Sequence, residues 1–342
     1  MHSITLLLTV LAFNVWVSSS QAQYNTTYGT IQPVLSVDFA DPSIIEVNGN
    51  WFAFATSGNG HNIQVAVSPG FTNHEWRLMN ETDVLPDPGR WAINDQRVWA
   101  PDVIQTEDGR WVMYYAAPAL NDSSKHCVGA ATSTSIVGPY SPSDEPLACP
   151  LEEGGAIDAA GFLDPKSGNL YVVYKIDGNT MNAGGGPCNG NPGPDGYLHP
   201  TPIMLQQVSK ADGISKIGDP IQILDRSDAD GPLVEAPSLF YNNEFSLYFL
   251  TFSSNCYSTD LYDIGFAYST CLDTEFVKSK YPLMTTQSIG VFGPGGADMT
   301  DDGKYALYHG TVDRTENGEP IRYMYAAEAG QAGLDMSALP IF

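Results

Sequence analysis

The chain has 342 residues, with 39 Asp and Glu against 15 Lys and Arg, for a formal charge of −24. Such a field repels nucleic acid and other polyanions, which excludes partners of that kind and suits a neutral ligand or an acidic medium. Five cysteines without metal-ligand spacing read as one or two disulfides and a leftover thiol, with Cys256 and Cys271 flanking a hairpin-like segment as the expected local pair.

Taken in chain order, residues 1–22 read as a signal peptide. The apolar run "ITLLLTVLAFNVWV" is too short to span a bilayer and is followed by the small, polar "SSSQA". No later stretch is apolar enough to cross a membrane. The expectation is a secreted, extracellular protein with no membrane association, whose mature part, 23–342, is one domain and a monomer. Asn25, Asn80 and Asn121 begin N-x-Ser/Thr sequons, in keeping with secretion.

From there a single unit recurs. Five segments join a turn to an aromatic-rich strand: "VNGNWFAFAT", "EDGRWVMYYAA", "KSGNLYVVYK", "YNNEFSLYFLTFS" and "DDGKYALYHG". Their markers, Trp51, Trp111, Leu170, Phe245 and Tyr305, lie 60, 59, 75 and 60 residues apart. Asn-Gly, Asp-Gly and Ser-Gly before alternating apolar residues are hairpin signals. Short apolar strands precede four of the turns, "DPSIIEV", "APDVIQT", "DAAGFLD" and "EAPSLFY", and the fifth, "GADMT", is weaker. Five units of about four strands predict an all-β fold, a five-bladed β-propeller. A β-sandwich would not repeat at this period. The longest interval holds "DGNTMNAGGGPCNGNPGPDGYLHP", a Gly-, Pro- and Asn-rich rim loop that serves either as a lid or as a passive insertion.

Acids sit where the first strand of a unit begins. Asp41, Asp158 and Glu235 come from three units and would converge at the mouth of a propeller's channel. Asp102 and Asp298 also lie near strand starts, and any one such acid is explained as a cap. Three in apolar contexts, gathered by symmetry, point to a site that uses like-charge repulsion.

These stretches together resemble glycoside hydrolase family 43: "FADPSII" with "NGNWFAFAT", then "VWAPDV", "AIDAAGFLD" and "VEAPSLFY", from about Leu35 to Phe342. The resemblance implies a five-bladed propeller and an inverting enzyme acting on arabinose- and xylose-containing polysaccharides. It puts the general base on Asp41, the general acid on Glu235, and on Asp158 the carboxylate that tunes and holds the acid. A water-activating carboxylate and an opposed acid, ~6.5–9.5 Å apart, are what inversion requires.

The same resemblance makes Arg322, in "PIRYMYAAE", a substrate contact beside the base. An arginine in an apolar strand needs a carboxylate partner in either case. Phe39, Trp99 and Tyr257, each next to a motif loop, are candidate sugar platforms, and His61 a candidate pocket residue. Members of the family often carry a histidine after "GPG" beside an axial metal. Here Gly296 stands there, which leaves axial Ca2+ unsupported and no cofactor required, with His309 either in a related role or a core residue.

The expected activity is release or cleavage of α-L-arabinofuranosyl units of plant cell-wall arabinan or arabinoxylan. Endo-arabinanase and β-xylosidase are the alternatives within the family, the second lacking room for its usual extra β-sandwich. A non-catalytic sugar-binding propeller would lack one of the three acids. A retaining fructan-acting enzyme would carry a cysteine after its acid, where this chain has Ala236.

Overall fold

Tight turns divide the chain into antiparallel strands. In the computed structural model, which describes residues 31–72, 75–182, 184–192 and 196–328, Asn48 and Gly49 both take positive φ, 53° and 79°. They form the two-residue connection between Ser43–Val47 (β1) and Asn50–Ala55 (β2), matching the twist of a hairpin. Gln64–Ser68 (β3) and Arg77–Leu78 (β4) complete the first sheet. The expected signal peptide and the sequon at Asn25 lie outside the described residues.

The second sheet is Trp99–Gln105 (β5), Trp111–Ala119 (β6), Asp122–Ser133 (β7) and Ser141–Pro142 (β8). The third is Ala156–Leu163 (β9), Leu170–Ile176 (β10), Ile203–Val208 (β11) and Lys216–Leu224 (β12). The fourth is Val234–Asn242 (β13), Leu247–Ser254 (β14), Asp263–Ser269 (β15) and Val277–Lys278 (β16). The fifth is Phe292–Met299 (β17), Tyr305–Arg314 (β18) and Pro320–Glu328 (β19). The described residues therefore form an all-β fold of five antiparallel sheets, in chain order. The repeated aromatic strands are the second strands of these sheets. Phe245 itself lies in the turn before β14 and is exposed.

The sheets succeed one another cyclically. The first strands touch in the order β1, β5, β9, β13, β17, and β17 touches β1 again. Each neighbouring pair of sheets encloses one apolar cluster. Phe54 and Met113 share the cluster between the first and second sheets, and Tyr114 and Val172 that between the second and third. Phe162 and Leu250 meet between the third and fourth, and Phe249 and Tyr308 between the fourth and fifth. The last cluster, with Phe39, Ala53, Leu307 and Met324, joins the fifth sheet to the first. Second strands are thus covered on both faces, which is why β6, "WVMYYAAPA", is apolar without alternation and wholly buried.

The fifth sheet has three strands where four were expected. The segment before β1 lies along its open edge: Val34 and Leu35 donate to the Met324 carbonyl, and Phe39 N–H donates to the Arg322 carbonyl at 2.7 Å. The start of the described chain is therefore sewn to its last strand.

The cysteines pair as Cys127–Cys149 and Cys188–Cys256, leaving Cys271 free and exposed. This corrects the Cys256–Cys271 expectation. Ser254 pairs with Asp263 and Tyr248 with Ser269, so Cys256 lies beyond one end of the β14–β15 pair and Cys271 beyond the other. A strand of that length separates them by roughly 20 Å, against about 7 Å between the Cα atoms that a disulfide spans. Among the described residues no helix is long and apolar enough to cross a membrane.

Candidate active site

Every first strand carries, just before it or within its first five residues, a residue in left-handed conformation: Asp41, Ala100, Asp158, Ala236 and Gly296, with φ of 51°, 41°, 57°, 50° and 54°, and β17 has a second in Gly293 at 55°. For the four that are not glycine this backbone is strained, and such strain persists where the surroundings over-determine it, often at functional sites. Strand pairing skips at the same places, between Trp99 and Asp102, Glu235 and Ser238, and Gly295 and Asp298. Bulges of this kind re-aim side chains. Asp41 and Asp158 occupy the left-handed position itself, whereas Glu235 stands one residue ahead of it.

Two residues after that position come Asp102 and Asp298. Asp298 accepts from the Ser238 hydroxyl at 2.7 Å and the Ile44 N–H at 2.9 Å, and Asp102 from the Gly161 N–H at 2.6 Å. They stitch neighbouring first strands together, as caps would. With Asp301 they line a cavity of about 580 Å³ at the far ends of the first strands, away from Asp41, Asp158 and Glu235.

Asp41 is held by three neighbours. The Thr56 hydroxyl donates to Oδ2 at 2.6 Å, Arg322 Nη1 lies 3.5 Å from Oδ1, and His309 Nδ1 lies 3.2 Å from Oδ1. The Asp41 amide nitrogen lies 3.1 Å from the same Nδ1, which accepts its N–H only in the tautomer that does not donate to Oδ1. Burial works against ionisation, but Arg322, His309 and Thr56 outweigh it and hold the carboxyl far below the usual carboxylate range. His309 is fully buried. Burial pushes its own proton affinity down against the pull of Asp41, and Nε2 is buried without a partner among the described residues.

Glu235 lies on the far side of a short relay. The Tyr262 hydroxyl donates to its Oε1 at 2.8 Å, and the Tyr262 ring stacks on His309, centroids 5.8 Å apart and planes 10° from parallel. Its Oε2 is 3.1 Å from Lys175 Nζ, whose second partner is Asp177 Oδ1 at 2.9 Å. Asp158 Oδ2 accepts the N–H of Ala236, the residue after Glu235, at 2.9 Å. Burial and the negative charge of Glu235 push the Asp158 carboxyl well above its ordinary range, against the pull of Lys175. The three acids are thus linked, Asp158 to the backbone of Glu235 and Asp41 through His309 and Tyr262. A narrow axial space reaches both Asp41 and Asp158.

Gly296 explains the missing histidine. A Cβ there would lie 2.6 Å from Asp41 Oδ1 and 2.6 Å from His309 Nδ1 and Cε1. His309, from the neighbouring strand and paired with Gly295, fills the space that a side chain at 296 would need. The residues do not form a cage for the axial ion: among those described, no three His, Cys, Asp or Glu are grouped to hold a metal.

The outer candidates divide. Arg322 lies over the Tyr257 ring at 5.3 Å, Tyr257 donates to Glu319 Oε2 at 3.2 Å, and Arg322 Nε is buried without a partner among the described residues. Trp99 is half-buried and stacks on His126 with centroids 3.6 Å apart. His61 donates from Nε2 to the Asn80 carbonyl at 2.8 Å rather than to any of the three acids. Phe39 departs from the expectation. It is fully buried among Val34, Ile44 and Met324 and has no free ring face for a sugar. Sequence reasoning missed Lys175, Asp177, Tyr262 and Thr56. Lys175 had a signal, a lysine inside the apolar "YVVYKI", which demands a carboxylate partner as Arg322 does.

The chain is 31% identical over 179 residues to the extracellular endo-alpha-(1->5)-L-arabinanase of Thermotoga petrophila, covering 41% of this chain and 36% of that protein. It therefore spans about a third of that relative's length. It is 28% identical over 286 residues to a probable arabinan endo-1,5-alpha-L-arabinosidase C of Aspergillus flavus, covering 77% and 78% of the two chains. The fold is that of a thermostable family-43 glycoside hydrolase of known crystal structure, with a TM-score of 0.67 and 22% identity over 88% of this chain and 92% of that one. The profile of glycosyl hydrolases family 43 matches residues 30–322. A chain matched over nearly all its described length, with its acids drawn from separate sheets into one linked set, belongs to glycosyl hydrolase family 43.

Proposed function

We propose that this enzyme is a secreted, inverting hydrolase of α-L-arabinofuranosyl linkages in plant cell-wall arabinan, cleaving within the α-1,5-linked backbone, with Asp41 as general base and Glu235 as general acid. The five sheets are read as the five blades of a propeller, and 23–342 as one catalytic domain. The observation that carries the reading is the unequal treatment of the acids. Arg322, His309 and Thr56 hold Asp41 as a carboxylate, the form that takes a proton from water. Burial and the charge of Glu235 push the Asp158 carboxyl up, so the two acids beside the leaving oxygen resist carrying two negative charges, whereas Asp41 is held ionised.

In the reaction, water on one face of the sugar loses its proton to Asp41 as it attacks the anomeric carbon. The departing oxygen takes its proton from Glu235 on the other face. Arg322 Nε, without a partner among the described residues and beside the proposed base, and the Tyr257 ring support sugar contacts there. The printed names of the two relatives favour arabinan and the endo mode, and the word "extracellular" favours secretion. The long loop after β10 is tied through Cys188 to Cys256, next to Tyr257, and a loop that covered the approach there would favour removal of terminal units instead.

Debranched arabinan digested and followed by chromatography decides the mode, since endo cleavage yields oligosaccharides first and terminal attack yields arabinose. The anomer released, followed by NMR on a short arabino-oligoside, is expected to be inverted. Asp41→Asn and Glu235→Gln are each expected to lower kcat by several orders of magnitude at unchanged Tm. Retention, or near-normal turnover in Asp41→Asn, overturns the assignment.

A further inference from the structure

Lys175 sits within β10, a strand otherwise apolar or aromatic in composition, and its side chain is wholly removed from solvent. An ammonium is tolerated in such a place only with ionic or hydrogen-bonding partners, and removing it alone would leave the carboxylates of Asp177 and Glu235 buried without their cation. Its place is built by a bulge: the pairing of β10 with β9 shifts between Val173 and Lys175, and Lys175 then faces Ile157, the residue before Asp158. The irregularity that aims Asp158 is thus beside the one that aims Lys175.

We propose that Lys175 is a positioning residue for the proton donor, its ammonium fixing Glu235 Oε2 while Asp177 shares its charge, so that the two together set how tightly the acid holds the proton it must give up. The proposal rests on Glu235 being the general acid. Glu235 is faced by Lys175 and Asp177 at the end of β10, Asp158 on β9, Tyr262 before β15 and Tyr257 after β14. Across the site it is faced by Asp41, His309 and Arg322.

Among these, Lys175 is the cation in contact with Glu235. Unshared, a cation 3.1 Å from Oε2 would strip the proton from the acid before substrate arrived. Asp177, 2.9 Å from the same ammonium, offsets that pull. Once the proton has gone to the leaving oxygen, the new carboxylate already has an ammonium at hydrogen-bonding distance. Burial disfavours the charged lysine, but Asp177, Glu235 and Asp158 more than restore it.

Two variants perturb this balance with opposite sign. A general acid must be protonated, so activity is lost as pH rises through the alkaline limb of the profile. Lys175→Met removes the cation and leaves Asp177, and moves that limb up. Asp177→Asn leaves the cation to Glu235 alone, and moves it down. Neighbouring charges produce shifts of about one pH unit each way. Lys175→Met is also expected to lose less rate on a 4-nitrophenyl α-1,5-arabinobioside than on the phenyl glycoside, because the better leaving group needs less proton.

The experiment measures kcat/KM against pH on both glycosides for the wild type, the two variants and the double variant Lys175→Met/Asp177→Asn, with thermal unfolding of each. Limbs displaced in opposite directions support the proposal. Limbs that stay put, or that move together, overturn it, and if Lys175→Met does not fold the Asp177→Asn limb decides alone. Glu235→Gln run alongside separates the two readings: an active Glu235→Gln removes the acid assignment, whereas an inactive one with unmoved limbs removes only the role of Lys175.

Discussion

Replacing Gly296 by alanine adds one methyl group against Asp41, the proposed base. The backbone there has φ of 54°, which costs a residue with a Cβ roughly 1–2 kcal/mol. At about 2–4 °C per kcal/mol for a chain of this size, Tm falls by about 2–8 °C. The contact adds to this. The new Cβ would lie 2.6 Å from Asp41 Oδ1 and His309 Nδ1, and ordinary contact begins at 3.4 Å, so 3.4 − 2.6 = 0.8 Å of movement must be found. Misplacing a catalytic group by about 1 Å costs on the order of 100-fold in rate. Gly49→Ala is the control. Its φ is 79°, nothing lies within 4 Å of the added Cβ, and it sits in the β1–β2 turn. Both variants are assayed for kcat/KM on an arabino-oligoside and for Tm by circular dichroism. Both should lose stability, and only Gly296→Ala should lose most of its rate. Equal activity in the two variants would refute the claim that Gly296 leaves room for the base.

Arg322→Met removes the cation beside Asp41, so the carboxyl rises toward its ordinary range. A base must be ionised, so activity is lost as pH falls through that raised value, and the acid limb of the kcat/KM profile should move to higher pH. An unmoved limb would mean that His309 and Thr56 suffice. Cys188→Ser/Cys256→Ser opens a bridge between residues 68 apart, for which chain entropy predicts a loss of about 4 kcal/mol, read by urea unfolding. A loss near zero would show that the loop is held by its other contacts.

The sheets were legible because each second strand is covered on both faces, and a strand so placed must be apolar or aromatic throughout. Turn residues at 48–49 marked where one such strand begins. The acids were legible as a set for the same reason, since a carboxylate between apolar runs needs an explanation. Phe39 was misread because nearness to a motif loop does not say which way a ring points, and this ring fills the seam between the fifth sheet and the first. The cysteine pairing was illegible because proximity along a hairpin depends on which end of the strand pair each residue occupies. Lys175 was overlooked although its composition signal equals that of Arg322. The partner that gives it meaning, Glu235, lies 60 residues further along the chain.

The stitching of residues 34–39 onto β19 has a temporal meaning. Asp41 is made 268 residues ahead of His309 and further still ahead of Arg322, the groups that orient it. On the proposed assignment, a chain not yet made as far as Arg322 lacks a working base, and hydrolytic power arrives in one step when residues 34–39 meet β19. A clip that frees the leading segment should silence the enzyme even with every acid in place.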